Sequence, residues 1–185
     1  MKSEIQHILG RILNDIRVEL TDEFDQNFER QSFFGEAWQR RKGPLRPKGH
    51  ILVDTGQLRR SIQSRITENS ITFFTTEPYA AIHNEGGEIV VTTKMKRYFW
   101  HKYKEATGSF GRKKDGSHRN DKRTVQLSEE AEFWKFMALK KAGTTIKIPR
   151  RRFLGTSPEV ERTVREIIEE NITEYINFDL DITER

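Results

Sequence analysis

Apolar residues recur at intervals of three and four from the start of the chain: Ile5, Ile8, Leu9, Ile12, Ile16, Leu20, Phe24 and Phe28. That spacing lays a single stripe along one face of an α-helix. It predicts a helix over residues 3–30, roughly 40 Å long at 1.5 Å per residue, long enough to lie across a small sheet. The stripe dissolves over residues 31–50. Gly35, Gly43, Pro44, Pro47 and Gly49 interrupt it, and Arg40, Arg41, Lys42, Arg46 and Lys48 make it basic. This reads as a loop whose Phe33, Phe34 and Trp38 either fold back on the core or form a partner contact.

Between Leu52 and Gly87 the pattern changes period. Asp54 and Gln57 have the spacing of a capping box, in which the carboxylate accepts from free backbone N–H groups and Gln57 reaches back. Leu58 and Ile62 then fall four apart on one face of a short helix, with Gly56 allowing a tight entry. Residues 64–68 and 71–76 are rich in Ile, Thr and Phe, and Asn69-Ser70 between them suits a tight turn, so a β-hairpin is expected. Pro78 stops the second strand. Tyr79-Ala80-Ala81-Ile82-His83 has room for about one helical turn, and Gly86-Gly87 supplies the positive φ that a reversal needs.

A strand is expected over 88–93. A helix over 94–106 then carries Met95, Tyr98, Phe99, Lys102 and Tyr103 and is closed by Gly108. Residues 108–124 hold almost no apolar side chains, so burial gains too little to offset ordering, and a mobile loop is expected. Ser128 is the expected cap of a second helix bearing Phe133, Trp134, Met137 and Ala138 and ending at Gly143, the two helices forming a hairpin arm over 94–143 that projects from the sheet. A strand over 144–148 ends at Pro149, Phe153-Leu154 plug the core beside Gly155, and Ser157 with Pro158 starts a last helix whose buried stripe is Val160, Val164, Ile167, Ile168, Ile172 and Tyr175. The whole order predicts an α+β fold: one domain over 1–185, with a small antiparallel sheet packed by a long N-terminal and a long C-terminal helix and carrying the helical insertion.

Four pieces of this chain in this order resemble the phage virion morphogenesis family, which includes tail completion proteins. They are Leu52-Val53-Asp54-Thr55-Gly56-Gln57-Leu58, then Ser61-Ile62, then Tyr79-Ala80-Ala81-Ile82-His83-Asn84-Glu85-Gly86-Gly87, and finally Ile148-Pro149-Arg150-Arg151-Arg152-Phe153-Leu154-Gly155. The likeness covers about 52–87 and 145–176 and leaves 94–143 as an elaboration. It implies structural roles for the motif residues, His83 belonging to the turn. It also implies a non-enzymatic protein of tail completion or head–tail joining, a virion component assembled in the host cytoplasm. Such a protein contacts itself in a ring-like homo-oligomer and touches neighbouring neck or tail proteins.

Composition narrows the alternatives. The 185 residues hold no cysteine, which removes disulfides, thiolate metal sites and cysteine nucleophiles. The N-terminus lacks an apolar leader and nowhere do about 18 apolar residues run together, so a soluble chain without membrane contact is expected. Charge is uneven: residues 94–123 hold eleven Lys or Arg against three Asp or Glu, and residues 157–185 hold nine acids against three bases. This suits head-to-tail contact between copies, or equally a surface facing phosphate, or merely solvated faces. Lys102, Arg112, Lys113, Lys114, Arg150 and Arg151 are the candidate partner contacts. Tyr98, Phe99, Trp100 and Tyr103 interleave with bases as in single-strand readers, but rings at helical spacing more often form core; nucleic acid is therefore a partner the sequence permits without favouring, and a small basic nucleic-acid-binding protein of a phage or mobile element is the alternative reading. His7, His50, His83, His101 and His118 are scattered without metal-ligand spacing, and no phosphate loop or nucleophile elbow is present. No cofactor, metal site or catalytic set is expected.

Overall fold

The computed structural model describes the backbone of residues 2–41 and 49–183 and the side chains of residues 4–41 and 49–176. Of the predicted basic loop, Lys42, Gly43, Pro44, Arg46, Pro47 and Lys48 lie outside the described residues. The chain forms two compact units. The first, the body, takes residues 1–38, 50–85 and 150–185, and the second takes 39–49 and 86–149.

The body is built on α1 (Lys2–Arg30) and α6 (Pro158–Thr183). Ile12, Ile16, Leu20 and Phe24 of α1 form one buried cluster with Val160 of α6, and Val164, Ile167 and Ile168 pack against it. Ser157 caps α6 as expected, its hydroxyl accepting from the Val160 N–H at 3.2 Å. The predicted stripes overrun this core. Ile5 and Leu9 near the start of α1, and Ile172, Tyr175 and Ile176 of α6, are exposed. The reason is that nothing else of the described body reaches the end where these two segments meet, an end tied by the Arg11–Glu174 ion pair.

After α1 the chain turns at once into a hairpin of β1 (Ser32–Phe33) and β2 (Glu36–Ala37), where an open loop was expected. Phe34 and Gly35 take positive φ at its tip. The hairpin drives Phe33 and Trp38 inward, which decides between the two roles open to them in favour of the core. Phe24 meets Phe33, Phe34 and Phe73 at ring separations of 6.5, 6.2 and 5.1 Å, and Phe28 sits between Trp38 and Phe153 at 5.5 and 5.4 Å.

The short helix α2 (Gln57–Arg60) does not use the expected capping box. Its N-cap is Gly56 at φ 76° with no side-chain cap, and the Gln57 amide is drawn instead to Glu77 at 2.9 Å. Ile62, expected on that helix beside Leu58, opens β3 (Ile62–Ile66), which pairs with β4 (Ile71–Thr75) from Ile62↔Thr75 to Ile66↔Ile71. The turn between them is closed by the Thr67 N–H donating to the Ser70 carbonyl at 2.9 Å. α3 (Ala80–Glu85) follows.

The second unit opens with Gly86 and Gly87 at φ 76° and 148°, the reversal that only glycine makes cheaply. β5 (Gly87–Val90) pairs antiparallel with β6 (Thr145–Ile148), and between them lie α4 (Thr93–Gly108) and α5 (Lys122–Leu139). The two helices pack through Phe99, stacked 5.9 Å from Trp134, with Ala106, Ala131 and Ala138 buried along the seam. Asp121 caps α5, accepting from the Thr124 N–H at 2.8 Å. The expected cap, Ser128, therefore lies within the helix. Local chemistry explains the shift: Asp121 caps as well as a serine does, and Thr124 is buried with its hydroxyl accepting from Gly111 N–H at 3.3 Å. Residues 122–124, assigned to a loop from their polarity, are thus the first turn of α5.

The class is α+β with two long helices, as the pattern predicts. Its strands lie in three separate two-stranded antiparallel ladders among the described residues, not in one sheet.

Candidate functional site

The motif residues converge on a seam inside the body. Asn84, in the last turn of α3, turns its amide onto the 151–155 segment. Its Oδ1 accepts from the Phe153 and Leu154 N–H groups at 2.9 and 3.0 Å, and its Nδ2 donates to the Leu154 carbonyl at 3.0 Å. The Arg151 N–H donates to the His83 carbonyl at 2.8 Å. From the other side, the Trp38 indole N–H donates to the Arg152 carbonyl at 2.6 Å, and the Arg152 guanidinium lies 4.8 Å from the centre of the Phe33 ring. Phe153 is thereby fixed against Phe28, with Leu58 and Ala80 in the same buried cluster.

So Leu58 of the first motif, Ala80, His83 and Asn84 of the second and Arg151 to Leu154 of the last, far apart in sequence, form one structural joint. Asp54, Thr55 and Tyr79 are exposed, Gly56, Leu58 and Ala80 are buried, and Gly155 holds φ 141° beside the Arg152 side chain. Burial, and the nearby Arg151 guanidinium, push His83 below its ordinary pKa. Its Nδ1 is buried without a hydrogen-bond partner. Both effects favour the neutral form of this half-buried imidazole.

A second tie escaped sequence reasoning. Arg59 of α2 spans Asp25 and Glu29 of α1, with both of its terminal nitrogens and Nε engaged. The Arg59 guanidinium holds the Asp25 carboxyl below its usual range. Asp25 and Glu29 are one helical turn apart, which is the only local signal; their partner lies 34 and 30 residues away.

The candidate contact residues separate by unit. Arg150 is exposed at the body's surface, whereas Arg151 is buried, which removes it from the outward-facing set. Lys102 sits on α4 and pairs with Glu105 at 2.8 Å. Arg112, Lys113 and Lys114 lie in the connection 109–121, which is folded by an Arg112↔His118 bridge and by the Lys113 N–H donating to the Ser117 carbonyl at 2.8 Å. The three acids of this stretch have local tasks: Glu105 binds Lys102, Asp115 binds Ser117, and Asp121 caps α5. Lys94, Arg97, Lys104, Arg112, Lys113, Lys114 and Arg119 are left exposed, as is Trp100 on α4.

Summed by unit, the asymmetry sharpens. The body carries 13 Lys or Arg against 21 Asp or Glu, a formal −8, and the second unit carries 20 against 7, a formal +13, which together make the chain's +5.

Among the described residues, no three His, Asp or Glu side chains come together as metal ligands, and no helix is long and apolar enough to cross a membrane. No curated protein and no solved structure matches the chain. The model of one protein family, described as the phage virion morphogenesis family, matches residues 6–173. That range contains the whole seam and also takes in 94–143, the part left uncovered by the motifs. Matched over nearly all of its 185 residues, the chain belongs to the phage virion morphogenesis family.

Proposed function

We propose that the chain is a non-enzymatic structural protein of virion assembly, serving tail completion or head–tail joining through contact with copies of itself and with neighbouring neck or tail proteins. It acts as a virion component put together in the host cytoplasm. The observation that carries this reading is the seam: the motif residues are spent on holding the body together through Asn84, Trp38 and Phe153, so that function is left to the surfaces. Family membership supports the assembly role. The opposed charges of the two units support self-association, because a contact between unlike surfaces repeats from copy to copy and closes into a ring when the rotation permits.

Electron microscopy of an induced lysate from the parent prophage with this gene removed, beside a complemented control, tests the reading. Full heads and unjoined tails, or tails of aberrant length, are expected. Normal infectious particles overturn it.

A second reading, a nucleic-acid contact, draws on Trp100 standing exposed among Arg97, Lys104 and their basic neighbours. It requires affinity for DNA that falls by orders of magnitude between about 50 and 200 mM salt.

A further inference from the structure

The apolar stripes of α1 and α6 run past the core and end in a cleft of about 590 Å³, lined by Ile8 and Tyr175 with Glu4, His7, Arg11, Asn171 and Glu174. Around it stand Ile5 (62% exposed), Leu9, Ile172, Tyr175 and Ile176. A cluster of that size at one place on an otherwise charged unit marks a contact surface and not scattered surface apolars. A second observation points to an occupant. Asn171 is 8% exposed and lines the cleft; its Nδ2 donates to the Ile167 carbonyl, but its Oδ1 is buried with no partner. A buried amide oxygen of this kind calls for a donor.

The second unit carries the complementary shape and chemistry. At the end of α5, Phe136 and Leu139 are 61% and 64% exposed, one helical turn apart. Lys140, its ammonium 4.7 Å from the centre of the Phe136 ring, and Lys141 follow directly. This is an apolar knob with a cationic collar, on a unit of formal +13. The cleft is an apolar socket whose rim mixes Glu4 and Glu174 with His7 and Arg11, on a unit of formal −8. Nucleic acid makes no use of the apolar surface that Phe136 and Leu139 expose.

We infer that the Phe136–Leu139 knob of one copy docks into the α1–α6 cleft of a second copy, with Lys140 or Lys141 as the donor to the Asn171 amide oxygen and the cationic unit of the one facing the acidic body of the other. The contact is heterologous, so each copy offers one knob and one socket. It rests on the assembly reading above and names the surfaces by which self-association occurs.

Sedimentation of the full chain at rising concentration, with Phe136→Glu and Ile172→Glu, tests it. The wild type is expected to associate. Each variant is expected to remain monomeric, its affinity at least roughly tenfold weaker, as for a buried anchor at an interface centre. An equimolar mixture of the two variants is expected to form dimers and stop there, because each supplies the half that the other lacks. Such dimers also show both variants to be folded. A wild type monomeric at all concentrations overturns the inference, and so does oligomerisation that both substitutions leave unchanged. Binding of a DNA duplex by a chain that never self-associates overturns it in favour of nucleic acid. Returning Ile172→Glu to the gene-deleted prophage separates the two levels: normal particles sink this contact while leaving the assembly role standing, whereas normal particles without any copy of the gene sink the role itself.

Discussion

Asn84 serves three backbone groups with one side chain. Asn84→Ala leaves the Phe153 and Leu154 N–H groups and the Leu154 carbonyl without their partner, and a loss of about 2–3 kcal/mol in urea unfolding is expected. Asn84→Asp retains the acceptor and should lose less. His83 acts through pH. Its folded pKa is depressed, so the unfolded chain binds the extra proton first, and stability is complete above about pH 6.5 and declines as pH falls toward the folded value. Thermal melts between pH 8 and 5 should show that decline, and His83→Gln should flatten it. Residue roles are legible in sequence where the partner is local. Ser157 can be read as a cap because Val160 lies three residues on. The part played by Asn84 cannot, because its partners lie 69 and 70 residues away. Arg59 is hidden for the same reason.

Elements bounded by a sharp change of period are the ones the sequence places closely. α1 and the β3–β4 hairpin lie within two residues of their expected bounds, and α6 starts where Ser157 and Pro158 place it. The start of α5 falls seven residues before its expected place because polarity there does not mean looseness: capping and one buried threonine suffice to begin a helix. Asp121→Ala is therefore expected to cost about 1 kcal/mol, and Ser128→Ala less than half of that, as read from urea denaturation. The same boundary reshapes a deletion. Removing 108–124 takes away the cap and first turn of α5, whereas replacing 110–119 with a short glycine linker keeps Asp121 in place. The linker variant should keep the cooperative melt of the wild type while complementing virion assembly less well. Loss of that melt counts against treating the cationic connection as dispensable to folding.

Charge organises the whole molecule. Sequence counts over 94–123 and 157–185 point to the polarity, but the −8 appears only when α1 adds its seven acids against four bases to the body, and the +13 only when residues 39–49 add five Lys or Arg to the second unit. If unlike surfaces meet between copies, raising salt from about 50 mM to 500 mM should weaken association measured by light scattering, since the Debye length shrinks below the spacing of most of these charges. It should not abolish it, because the apolar knob is indifferent to ions.

The pairing of α1 with α6 also has a temporal side. These helices stand at opposite ends of the chain, so the body's main cluster joins Ile12 and Ile16 to Val160 across some of the longest sequence separations available. Contacts of that order form slowly and wait for α6 to be made. The α4–α5 hairpin joins neighbours instead, and can close while α6 is still unmade. If copies meet through these surfaces, a nascent copy carries its knob before it has a socket, and matching waits for α6 to be made.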